Sequence, residues 1–143
     1  MNETSEQQIP NLEEMDERQA HQFLTELYTV LSAEKEYALR HEDYVMEMPQ
    51  SGERIRGREN MLGFQKALGR NLPNPPRIRI DRVRVRDGLW VKEGVNDYGA
   101  GVVSNSVVIY ELKDGKIWRD TRYYSEPFDA PEWRAQWVER MEA

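Results

Sequence analysis

The stretch that most constrains this chain runs from Ser104 to Pro127. Two strand-like segments flank Lys113-Asp114-Gly115-Lys116, and Asp-Gly between such segments marks a tight hairpin turn. The stretch reads as the central hairpin of a sheet that wraps around a cavity.

The residues before it supply more of that sheet. From Arg77 to Arg86, arginine alternates with Ile78, Ile80, Val83 and Val85, and the apolar phase slips by one residue between Ile80 and Val83. An extra residue restores the apolar face, so a bulge or bend is expected near Asp81-Arg82. Asp87-Gly88 then turns the chain into an antiparallel return over Leu89 to Tyr98, and Gly99-Ala100-Gly101 reverses it into Val102 to Leu112. The last strand runs from Ile117 to Glu126. The five arginines from Arg77 to Arg86 form a solvated or cross-paired sheet face.

The first half reads as helical with one short strand. Leu12, Met15, Phe23, Leu24, Leu27, Tyr28 and Leu31 recur mostly three or four apart, which puts them on one face of a helix. Its start is either Asn11 with Glu14 or Asp16 with Gln19, since both pairs suit a capping box. A short helix over Ala33 to Arg40 carries Tyr37 and Leu39 inward. Asp43 to Pro49 reads as a strand with Tyr44, Met46 and Met48 on one face. A third helix covers Arg58 to Leu68, with Gly69 placed to end it. At the far end Asp129-Ala130-Pro131-Glu132 opens a closing helix, whose Trp133, Trp137 and Met141 make an apolar stripe. Exposing both tryptophans would leave a large apolar patch, so the stripe is expected against the parent sheet or a second subunit.

Composition bounds the function classes. The 143 residues suit one domain, read here as residues 11–143 behind a flexible polar tail over residues 1–10. A formal charge of −6 argues against general affinity for nucleic acid or anionic membranes. Without cysteine there is no disulfide and no thiol catalysis. No window approaches the roughly 18 apolar residues of a membrane span, and the N-terminus lacks a signal-peptide pattern, so a cytoplasmic protein is expected. His21 and His41, the only histidines, lack the acidic partner spacing of a metal site. His41 is kept as a minor acid–base candidate.

Two passages carry a likeness: GERIRGRENMLGFQ over residues 52–65 and VVIYELKDGKIWRDTRYY over residues 107–124. With the element order, they resemble the nuclear transport factor 2-like superfamily. Within it they are similar to the SnoaL-like small proteins, which include polyketide cyclases, ketosteroid isomerases and limonene epoxide hydrolase. The likeness spans Glu17 to Pro127. It implies an α+β cone, in which a curved antiparallel sheet wraps around N-terminal helices and encloses a largely apolar pocket, and a homodimer formed through a sheet face. The ketosteroid isomerase pattern would put its base at Met48 and its protonated acid near Val107, and neither residue is acidic.

Strict alternation in the last strand puts Trp118, Asp120, Arg122 and Tyr124 on one face, which the resemblance turns toward the cavity. Asp120 and Arg122 are the candidate catalytic pair: a carboxylate for general acid–base work and a guanidinium to orient a carbonyl or carboxylate. Tyr28 and Tyr124 can donate to a developing oxyanion. Met48, Met61, Trp90 and Trp118 complete the expected substrate lining, and Lys92, which shares the Trp90 face, is expected to be solvated. The function expected is a homodimeric domain that binds an apolar or lightly oxygenated small molecule without cofactor or metal. Isomerase, cyclase or hydratase/dehydratase chemistry is one use of such a pocket. Non-catalytic ligand binding or protein interaction is the other.

Overall fold

A computed structural model describes residues 9–72 and 74–141; the first eight residues of the expected tail lie outside it. The chain opens with a 3-10 turn, Leu12–Glu14, followed by α1 (Glu17–Val30) and α2 (Ala33–Leu39). Strands β1 (Arg40–Met48) and β2 (Glu53–Arg56) precede α3 (Arg58–Asn71). Then come β3 (Arg77–Arg86), β4 (Leu89–Asp97), β5 (Val103–Lys113) and β6 (Lys116–Ser125).

Both expected helix starts are used, for different elements. Asn11 Oδ1 accepts from the Glu13 N–H at 3.0 Å and caps the 3-10 turn. Asp16 and Gln19 form a reciprocal capping box on α1 at 2.8 and 2.9 Å. The 3-10 turn clamps the central hairpin: the Leu12 N–H donates to the Gly115 carbonyl at 3.0 Å, and the Gly115 N–H donates to Glu13 Oε1 at 2.7 Å. Gly115 sits at φ 76°, and a Cβ there would lie 2.7 Å from Asn11 Oδ1, so both backbone and space exclude a side chain.

Six strands form one mixed, open sheet in the order β2-β1-β6-β5-β4-β3. Only β1 and β6 run parallel; the other neighbours are antiparallel. α1 packs along β3 while α3 packs on β1 and β2, and the whole is an α+β cone. Strand β2 was not evident from the sequence, because four residues are too few for a period to show. The core is continuous through Leu24, Tyr44, Met46, Met61, Trp90 and Tyr110, with Trp90 meeting Phe23 and Tyr110 edge-on at 6.3 and 6.2 Å.

The expected bulge in β3 is present: the register shifts between Ile80 and Arg82 opposite Gly94 and Glu93. A Cβ on Gly94 would lie 2.1 Å from the Arg79 carbonyl oxygen, so the bulge depends on glycine across from it. Gly94→Ala is expected to lower stability by about 1–3 kcal/mol through overpacking against backbone. A urea titration with an unchanged midpoint would mean that the bulge relaxes freely.

Three expectations about elements are corrected. α3 runs through Gly69 to Asn71, since an exposed helical glycine costs only about 1 kcal/mol and the Asn71 amide bonds back to the Ala67 carbonyl. β1 begins at Arg40 rather than Asp43, because Arg40 already pairs with Ile117 of β6. The closing helix is only a six-residue 3-10 turn, Glu132–Trp137, with Pro131 at its N-cap and no side-chain cap. At three residues per turn, positions four apart no longer share a stripe. Trp133 and Trp137 are accordingly 74% and 71% exposed, not packed on the sheet.

Candidate functional site

Strand pairing builds the inner face of the cone in rows. Trp90, Tyr110, Asp120 and Met46 are register partners across β4, β5, β6 and β1, and Lys92, Val108 and Arg122 form the next row. A register shift near the start of β6 makes Trp118 an extra residue: Leu112 pairs with Ile117 and Glu111 with Arg119. That bulge corrects the alternation expected for β6, because Ile117, not Trp118, shares the inner face with Asp120. Trp118 instead lies beneath Lys113 and Arg119, whose cationic groups stand 5.3 and 5.7 Å from its ring centre.

Asp120 is fully buried and anchors the site. It accepts from Arg122 Nε at 2.8 Å, from Arg122 Nη2 at 3.4 Å and from the Tyr44 hydroxyl at 2.7 Å. Burial opposes the charge on Arg122, but Asp120 outweighs it and holds the guanidinium pKa well above its ordinary value. The Tyr28 hydroxyl, from α1, is hydrogen-bonded to that of Tyr110. Burial pushes both phenols well above their usual range, so both stay protonated and able to donate.

A second polar cluster adjoins the first through Tyr44. Arg40 stacks 5.0 Å over the Tyr44 ring, pairs with Glu36 at 3.3 Å and donates to Gln65 at 3.0 Å, while Gln65 donates to Glu36 at 3.1 Å. Between the two clusters lies a cavity of about 10 Å³, bordered by Tyr28, Tyr110, Asp120, Arg122, Glu36 and Arg40. Leu27, Leu39 and Ile117 close it. That volume holds about one water.

The structure thus brings Asp120, Arg122 and Tyr28 to one cavity. Tyr124 follows Arg122 along β6 and is half-buried, outside the residues that border it. Trp90 and Met61 are fully buried in the core, Met48 packs against it, and none of the three borders the cavity. His41 is occupied elsewhere: its Nε2 donates to Asp114 Oδ2 and its Nδ1 accepts from the Asp43 N–H, both at 3.0 Å. Val107 lies on the outer face, and its inward neighbours Ser106 and Val108 are not acidic either.

Lys92, Tyr110, Glu36 and Arg40 are the site residues that sequence reasoning passed over or read as solvated. Lys92 is only 3% exposed, with its ammonium 4.9 Å from the Tyr28 ring centre. Burial, then Arg122, lower its pKa from 10.5 to about 8, with Asp120 offsetting part of the effect. The one legible signal was the i,i+4 spacing of Glu36 and Arg40. The arginines of β3 lie outside this site on the surface, where Arg77 pairs across with Asp97 and Arg82 and Arg84 both reach Glu93, while Arg79 pairs with Asp81 of its own strand. Among the described residues no group of three or more acidic or histidine side chains could hold a metal, and no helix is long and apolar enough to cross a membrane.

A curved, open sheet packed against helices, with polar groups gathered on its inner face, defines the class of α+β cone domains. Known structures agree. The chain is 32% identical to an NTF2-like protein of unknown function from Burkholderia xenovorans, over 82% of this chain and 88% of that one, with a TM-score of 0.67. It is 26% identical to a candidate ketosteroid isomerase from Kribbella flavida, over 90% and 93% of the two chains, with a TM-score of 0.72. A SnoaL-like protein of unknown function from Burkholderia thailandensis shares the fold at 10% identity, over 76% and 92%, with a TM-score of 0.64. No protein-family model and no curated protein matches the sequence. The chain belongs to the nuclear transport factor 2-like superfamily.

Proposed function

We propose that this protein binds a small, largely apolar, oxygenated molecule whose oxygen takes the one-water cavity inside the cone, with Arg122 and the Tyr28–Tyr110 hydroxyl pair as its polar contacts. The observation that carries this reading is a hydrogen-bonded ion pair and two protonated phenols gathered around one cavity where an apolar core would otherwise continue. Such charged groups cost free energy in a core, and functional sites are where that cost recurs. Saturable quenching of tryptophan fluorescence by octan-2-one tests it, since Trp90 contacts Tyr110. Tyr28→Phe should weaken binding roughly two- to tenfold, the worth of one hydrogen bond. Absence of saturable binding, or equal binding by Tyr28→Phe and Arg122→Lys, would sink the proposal.

A second reading adds turnover, favoured by the Tyr28–Tyr110 pair, which could stabilise an enolate oxygen. Asp120 is then the proton acceptor, although three hydrogen bonds already occupy its oxygens. Exchange of the ketone's α-protons in D2O, followed by NMR, separates the readings: a rate above buffer that disappears in Asp120→Asn supports catalysis, and a buffer rate supports binding alone.

Homodimerisation belongs to the same proposal. Val91, Val95, Val107 and Ile109 line the outer sheet face half-exposed, beside the 44% exposed Tyr123. Light scattering at micromolar concentration should give twice the 16.9 kDa chain mass, and Ile109→Arg should give the monomer, because a charge on an isologous face meets its own copy. A monomeric wild type would remove this part.

A further inference from the structure

The cavity does not stand alone. On the other side of Leu27 and Leu39 lies a groove of about 660 Å³, formed by Ile9 and Pro10, α1 and α2. Its apolar walls include Phe23, Val30 and Ala38, and its size is that of a small-molecule site. Leu27 and Leu39 border both spaces, so two leucine side chains separate an apolar groove from a charged interior. They come from different helices, joined at Leu31, which adopts a left-handed backbone at φ 52°.

The interior carries an excess of positive charge. Arg40 and Glu36 answer each other, and Arg122 is matched by Asp120. Lys92 has no hydrogen bond or ion pair with any described residue, although it is buried on the inner face in the same row as Arg122. Two cations, Lys92 and Arg122, therefore share one carboxylate.

We propose that groove and cavity are two compartments of one site for an amphiphile with an apolar body and a carboxylate head, the body in the groove and one head oxygen in the one-water cavity at Arg122, with Lys92 behind the cavity border in the same strand row. This rests on the binding function proposed above and names its ligand class. The body would displace water from the groove walls, and the head would give Lys92 the counter-ion that the fold omits. A neutral head would leave that ammonium unpaired.

Titration calorimetry of the full chain with octanoate, octan-1-ol and octan-2-one tests the assignment. Octanoate should bind about tenfold tighter than octan-1-ol, or more, as charge-assisted hydrogen bonds warrant. Lys92→Met should remove most of that preference by weakening octanoate far more than octan-1-ol, and Ala38→Trp, which fills the groove, should weaken all three ligands. Equal affinity for octanoate and octan-1-ol, or a preference that survives Lys92→Met, overturns the carboxylate assignment. Undiminished octanoate binding by Ala38→Trp overturns the groove. In each of those cases octan-2-one binding that depends on Tyr28 leaves the broader function standing, whereas no binding of any ligand removes both.

Discussion

Replacing Asp120 with alanine is expected to lower the unfolding free energy by about 3–5 kcal/mol, the usual cost of leaving one member of a buried ion pair without its partner. Asp120 is 1% exposed, and its loss strands the Arg122 guanidinium, whose side chain is 18% exposed, and the buried Tyr44 hydroxyl. The effect should appear as a lower urea midpoint with an unchanged slope. A double variant separates charge from packing. Asp120→Ala with Arg122→Met removes the stranded cation and should recover part of the loss, because an apolar replacement of a whole buried pair is often tolerated. If Asp120→Ala alone cost less than about 0.5 kcal/mol, the pair would behave like a solvated surface bridge, and the closed interior described above would be wrong.

Lys92→Met is expected to act in the opposite direction, raising stability near pH 7 by about 2–3 kcal/mol, or roughly 7–10 °C in Tm for a chain of this length. Burial, and then Arg122, push the Lys92 pKa down from 10.5 to about 8. Below pH 8 the folded and unfolded chains both hold this proton, and the fold bears the full cost of the buried ammonium. Between pH 8 and 10.5 the folded chain releases a proton that the unfolded chain keeps, so the wild type gains stability as pH rises through this window. The advantage of Lys92→Met should therefore shrink from pH 8 and vanish by about pH 10.5. Chemical denaturation of both proteins across that range checks it. A variant less stable than wild type, by an amount independent of pH, would show instead that the contact between the ammonium and the Tyr28 ring outweighs desolvation. A stabilising loss of Lys92 is what a residue retained for ligand binding would show, since sites accept a stability cost for function.

Parts of the fold were legible because they leave local marks. The β3 bulge shows as a phase slip from Ile80 to Val83, since arginine and the branched residues differ in which face they tolerate. The β6 bulge leaves no such mark. Trp118, Asp120, Arg122 and Tyr124 alternate without interruption, and the tryptophan is accepted on either face when cations cover its ring. Asp120 and Arg122 could be paired on sight, two residues apart on one strand. Their partners could not. Tyr44 and Tyr28 are distant in sequence and reach the site only because β1 lies parallel against β6 and α1 crosses the inner face. Lys92 was read as solvated because burial is a property of what covers a residue, and here the cover is the Tyr28 ring. The stripe of Trp133 and Trp137 fits an α-helix, yet the segment takes up a 3-10 turn that leaves both exposed.

By itself, the sequence determined the hairpins around Asp87-Gly88 and Asp114-Gly115, the capped first helix and the family likeness, all of which depend on neighbours within a few residues. Those features place Asp120 and Arg122 on the last strand. Only the tertiary structure decided what surrounds them: the parallel pairing of β1 with β6 brings Tyr44 to Asp120, the β6 bulge turns Trp118 away, and the packing of α1 sets Tyr28 and Leu27 over the interior. The physical reason is dielectric. A carboxylate, a guanidinium and an ammonium become a site when water is removed from around them, and water is removed by residues far away in the chain.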